Sequence, residues 1–127
     1  MRFATIRQHE QEILAILRDS VLIPVPAINE TLDSVWPHTF DALFAKNQFY
    51  DFRDALAEFS DDQWKELSEN GIGTDSARFG PLYRKPGKIW GIGLNYREHA
   101  DELDETTPVG IPGSFMKPAT TIIGPED

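Results

Sequence analysis

Residues 2–26 set the first constraint on what this chain can fold into. Three runs rich in apolar residues follow one another there, separated only by short polar stretches. Arg2-Phe3-Ala4-Thr5-Ile6-Arg7 alternates polar and apolar residues, the period of a strand with one buried face. Gln8-His9-Glu10-Gln11 is polar and reads as a turn. Glu12–Leu17 is ambiguous in isolation, because Ile13, Leu14, Ile16 and Leu17 also fit one face of a helix. The punctuation at Asp19-Ser20 and the extended run Val21-Leu22-Ile23-Pro24-Val25-Pro26 favour a strand, so the three runs form a β-meander. Pro24 and Pro26 have no N–H to donate, and the third run should therefore lie at a sheet edge or leave the sheet.

From Asn29 the period changes. Glu30–Val35 suits a short helical turn closed before Trp36-Pro37. Thr39 is placed to cap a helix over Phe40–Lys46, where Phe40, Leu43 and Phe44 share a face. Phe52, Leu56 and Phe59 repeat at helical spacing. Ser60-Asp61 opens another helix through Trp64 and Leu67, and Gly71 supplies its stop. The many aromatics here (Trp36, Phe40, Phe44, Phe49, Tyr50, Phe52, Phe59 and Trp64) read as core packing, because aromatic rings dominate small cores. Gly71–Ser76 is small, polar and glycine-rich, and places a domain boundary at about Ser76. The expected fold class is α+β: a small N-terminal domain over residues 1–76, with a β-meander and short helices, and the start of a second domain over 77–127.

Charge narrows the partners. With 12 basic against 21 acidic residues the chain carries a net charge of -9, which disfavours nucleic acid and anionic membrane surfaces. It contains no cysteine, so disulfides and thiolate zinc sites are excluded, and a cytoplasmic location is expected. The first residues, MRFATIRQHEQE, lack the long apolar stretch of a secretion signal.

Chemistry concentrates between Lys85 and Lys117. After the turn Lys85-Pro86-Gly87, the run Ile89-Trp90-Gly91-Ile92-Gly93-Leu94 reads as a buried strand, with glycines that leave room for a close approach. Asn95 suits a helix cap. On a helix over Tyr96–Leu103, His99 and Glu102 are three residues apart and share a face. A carboxylate beside an imidazole fixes its tautomer and raises its basicity, as a general base requires. Glu98 and Asp101 are rival partners, and His9 and His38 have none at ligand spacing. Residues 104–113 read as a loop, followed by strands at Ser114–Lys117 and Thr120–Ile123. The turn sequence Gly124-Pro125-Glu126-Asp127 has no strand after it and reads as a cut chain.

The string G-x-N-Y-x-x-H-A-x-E at 93–102, followed by F-x-K-P at 115–118 and I-G-P at 123–125, resembles the start of the catalytic domain of the fumarylacetoacetate hydrolase family. The likeness extends from Phe79 to Asp127. It implies a β-rich catalytic domain begun but truncated here, preceded by the family's variable N-terminal domain, which usually opens with a small antiparallel sheet. It also implies that His99 and Glu102 are the catalytic pair on a short lid helix. Tyr96 and Asn95 would then form the strand-to-helix corner near the substrate, and Lys117 would contact its carboxylate. The family's substrates are small keto or diketo acids, which undergo C–C hydrolysis, decarboxylation or isomerisation. Its cofactor is Mg²⁺ or Mn²⁺, held by three carboxylates downstream of the I-G-P segment, and its usual assembly is a homodimer. None of the metal ligands is expected in this chain, since Glu126 and Asp127 are adjacent and would point to opposite sides of an extended backbone. The isolated chain is accordingly expected to be inactive. The alternative is a stand-alone binding or assembly module in which the His–Glu pair is vestigial.

Overall fold

The computed structural model describes residues 1–93 and 113–125. Strands β1 (Arg2–Gln8), β2 (Gln11–Arg18) and β3 (Val21–Pro24) pair antiparallel in sequence order, as the meander predicts. His9 and Glu10 turn β1 into β2 with φ of 47° and 62°. That left-handed pair gives the twist a two-residue hairpin needs.

The third run leaves the sheet after Pro24, one of the two outcomes its prolines allow, but Val25 and Pro26 are not extended. Val25 begins helix α1 (Val25–Leu32) and Pro26 sits in its first turn, where a missing N–H leaves no bond unmade. Val25-Pro26 is thus helical, and the helix starts well before Glu30. Nor is β3 an edge. A short strand β4 (Ile72–Gly73) pairs with it at Leu22↔Ile72 and Val21↔Gly73. Once β3 has left the sheet, the Leu14 N–H donates instead to the His38 carbonyl at 2.7 Å.

Helices α2 (Phe40–Ala45), α3 (Phe49–Ala57) and α4 (Asp61–Glu69) follow the apolar spacing. The Thr39 side chain accepts from Ala42 N, as its sequence position suggests. Ser60 and Gln63 cap α4 reciprocally: Ser60 Oγ accepts from the Gln63 N–H at 3.2 Å, and Gln63 Oε1 accepts from the Ser60 N–H at 2.9 Å. Asn29 ties the end of α1 to the next segment. Its amide accepts from Trp36 N at 2.9 Å and donates to the Trp36 carbonyl at 2.9 Å.

The stretch expected as a linker is part of the sheet. β4 lies on one edge and β5 (Phe79–Gly80) on the other, in the order β4-β3-β2-β1-β5. In a flat sheet those edges would stand ~19 Å apart, four strand spacings. The connection includes a 3₁₀ turn at Thr74–Ser76, which shortens its reach to roughly 16 Å. The sheet must therefore curl, and its concave side holds the small cluster Ile6, Ala15 and Leu22, with Phe79 and Ile72 against it. The opposite face carries the larger core: Leu14, Ile16, Ile23, Leu43, Phe52 and Leu56 among others. Trp36, Phe40 and Phe59 pack around it, whereas Phe44 and Tyr50 are exposed. Gly71 does more than stop α4, because a Cβ there would run into the Val21 side chain.

An ion cluster lies at the hairpin end of β1 and β2. Arg7 and Glu12 are register partners on β1 and β2, and Glu12 accepts from Arg84 Nε at 3.0 Å. The hydrogen bond from Arg84 holds the Glu12 carboxyl below its ordinary value against the opposing effect of burial, and the charges of Arg84 and Arg7 act in the same direction as the bond. A carboxylate depressed in this way stabilises the fold above its unfolded pKa, and that stability is lost as the pH falls through the lower folded value. Glu12→Gln is expected to cost about 1 kcal/mol at neutral pH, given the partial exposure of the group. The cost should shrink steadily as the pH falls through the carboxylate range. Urea midpoints of both proteins across that range check it, and a pH-independent difference would refute the assignment.

The chain divides into two compact units, Met1–Arg84 with Ile123–Asp127, and Lys85–Ile122. The division falls after β5, later than the glycine-rich stretch suggested, because Phe79 and Gly80 pair with Ile6 and Thr5 of β1. In the second unit β6 (Ile89–Gly93) pairs antiparallel with β7 (Gly113–Lys117). The strand expected to be buried is not: Trp90 is 64% and Ile92 58% exposed. With Met116, the partner of Trp90 across the ribbon, they form an apolar face that no described element of this unit covers. The strand expected at Thr120–Ile123 is instead a 3₁₀ turn at Ala119–Thr121. There the Thr121 N–H and hydroxyl both donate to the Pro118 carbonyl, at 3.0 and 2.8 Å, a local bonding pattern that competes with a ladder.

Candidate functional site

The β6–β7 ribbon frames the candidate site. Its register runs from Ile89↔Lys117 to Gly93↔Gly113. The segment 94–112 therefore leaves and re-enters at one end of the ribbon, where both flanking residues are glycines. Asn95, Tyr96, His99 and Glu102 lie in that segment, outside the described residues.

Lys117 is the one predicted site residue that the structure describes. It is exposed, at the far end of β7, and its Nζ lies 5.8 Å from the centroid of the Phe115 ring, a cation–π distance. Four residue steps separate it from Gly113, about 14 Å along the strand. A ligand held by Lys117 and by the base of the 94–112 segment would have to run along the ribbon. With Pro86, Gly87, Lys88, Ile89 and Pro118, Lys117 lines a hollow of about 390 Å³. Lys88 adds a second ammonium group there, a feature that the motif did not single out.

The glycines of β6 have a visible use. A Cβ on Gly91 would collide with the Phe115 ring, its register partner, and one on Gly93 would touch the same ring at 3.8 Å. The close approach anticipated from Gly91 and Gly93 is thus made by an aromatic side chain of β7. Bare glycine under a cross-strand ring pins the register of a two-stranded ribbon that has little else to fix it.

Among the described residues, no three His, Asp or Glu side chains come together in a way that could hold a metal ion. The described residues therefore offer no ligand set for the divalent cation that the resemblance implies. No helix among them is long and apolar enough to cross a membrane.

No protein-family model matches the chain. An uncharacterized protein of Archaeoglobus fulgidus is 50% identical to it over 42 residues, which are 33% of this chain and 16% of that protein. The likeness is strong but local, and the relative is about twice as long as this chain.

Proposed function

We infer that this chain is the N-terminal portion of a metal-dependent enzyme of the fumarylacetoacetate hydrolase type, acting on small keto or diketo acids. The observation that carries the inference is the string Gly93-Leu94-Asn95-Tyr96-Arg97-Glu98-His99-Ala100-Asp101-Glu102, set between two strands whose ends pair at Gly93 and Gly113. The face of Trp90, Ile92 and Met116, which no described element of its unit covers, also supports the reading, since an apolar sheet face calls for a further layer such as the remainder of a β-rich domain.

In this role His99 takes a proton from the substrate or from the attacking water. Glu102 holds the imidazole in the tautomer that leaves the reacting nitrogen free. Tyr96 and Asn95 take the role of the corner residues near the substrate that the resemblance implies, and Lys117 contacts the substrate carboxylate as a point charge. A divalent ion, whose ligands the reading places outside this chain, would supply Lewis-acid polarisation of the substrate's oxygens. A homodimer is the expected assembly of the whole enzyme.

The test uses the full-length protein against a panel of small β-diketo acids and 2-keto acids, with Mg²⁺ or Mn²⁺ and after chelation. Turnover of at least one diketo acid that disappears on chelation is expected, together with none by the 127-residue chain alone. Absence of turnover across the panel, or full turnover without metal, would overturn the reading.

A further inference from the structure

We propose that the arginine-lined cleft beside the β1–β2 hairpin is a binding site for a small dianion, a dicarboxylate or a phosphate. The cleft has a volume of about 580 Å³ and is lined by Arg7, His9, Glu10, Glu12, Arg78 and Arg84. All six residues belong to the first unit and none to the 94–112 segment, so the inference does not rest on the role given to His99.

Its charge runs against the rest of the protein. The chain as a whole has 21 acidic and 12 basic residues, yet three guanidinium groups and two carboxylates line this one cleft. The backbone sets the groups in place. Arg7 stands across from Glu12 in the β1–β2 register. Arg78 is fixed beside it, because the Arg7 N–H donates to the Arg78 carbonyl at 2.8 Å. Arg84 reaches Glu12 from the segment after β5.

Glu12 acts as the positioning group. It draws in Arg84 and lies 3.5 Å from Arg7, so two long side chains are ordered before any ligand arrives. Such preorganisation reduces the entropy lost on binding. The Arg78 guanidinium is exposed and forms no ion pair among the described residues, which leaves its planar fork of donors for an incoming oxyanion. At the lip of the cleft the chain holds His9 and Glu10 in the left-handed region, an uncommon conformation for residues other than glycine.

The cleft suits a compact ligand. Its volume falls within the usual range for small-molecule sites, but its wall is polar, so charge and not apolar area must supply the affinity. A long polyanion would meet the protein's overall negative field, whereas a small dianion fits inside the local positive patch.

The experiment is an amide chemical-shift titration of the 127-residue chain at low ionic strength. Three probes are compared at matched ionic strength: inorganic phosphate, succinate and chloride. Saturable shifts at Arg7, His9, Arg78 and Arg84 with phosphate or succinate, and not with chloride, are expected, and the stronger of the two identifies the ligand class. Arg78→Gln should weaken that binding by about tenfold or more, while Arg78→Lys retains part of it. Because Arg78 is exposed, the unchanged spectrum of the variant away from the cleft verifies its fold. Equal response to chloride, shifts scattered over the surface, or an Arg78→Gln protein that binds as the parent does would each overturn the proposal.

Discussion

Replacing His99 with alanine in the full-length protein is expected to lower kcat by roughly 10²- to 10⁴-fold, the usual contribution of a positioned general base. Divalent-ion affinity should be unchanged, because the proposed reading makes His99 a base and places the metal ligands elsewhere. The two readouts separate the roles. A base removes a proton in the transition state, so its loss appears in kcat and removes the limb of the pH profile that reports its ionisation. A metal ligand, when lost, lowers ion affinity first. Glu102→Gln should give a smaller loss, since the imidazole remains and only its orientation and basicity suffer. A fall in metal affinity as large as the fall in turnover would show that the role is wrongly assigned. So would a Glu102→Gln loss exceeding that of His99→Ala.

Phe52→Ala should produce the largest loss of stability in the first unit, about 3–5 kcal/mol. Phe52 is fully buried, and its ring lies 5.4 Å from that of Trp36. It belongs to the cluster in which residues of β2 and β3 meet those of α1 to α4. Truncation there removes a large apolar surface and leaves a cavity that neither the sheet nor the helices can collapse into cheaply. Since whole domains are stable by only ~5–15 kcal/mol, the change takes a large share of the total. Phe44 offers the contrast. It is 54% exposed and stacks on Phe49 at 4.8 Å, so Phe44→Ala should cost only about 1 kcal/mol. Urea denaturation followed by far-UV circular dichroism measures both. If the Phe52 variant lost no more than the Phe44 variant, the core described here would not be the one holding the helices to the sheet.

The sequence alone determined the local elements. Alternation marked β1, whereas β2 fits a helical face equally well and reads as a strand only from the punctuation at Asp19-Ser20 and the extended run after it. Thr39 and Ser60 marked the starts of α2 and α4, since a side-chain oxygen one residue before a helix meets its otherwise unbonded N–H groups. The motif at 93–102 and the residues His99, Glu102, Tyr96, Asn95 and Lys117 were legible as residue types at a spacing, which is a property of the chain and not of its packing.

Tertiary structure decided what those elements do to one another. Ile72–Gly73 and Phe79–Gly80 are too short to announce themselves as strands, and they pair because the curl of the sheet brings its two edges within reach of one connection. Trp90 and Ile92 read as buried in sequence because hydrophobicity reports preference, whereas exposure depends on which other layers are present. The Arg7–Glu12–Arg84 cluster joins residues from opposite ends of the first unit. No spacing rule can foresee such a meeting, because the sheet register and the path after β5, not distance along the chain, bring those charges together.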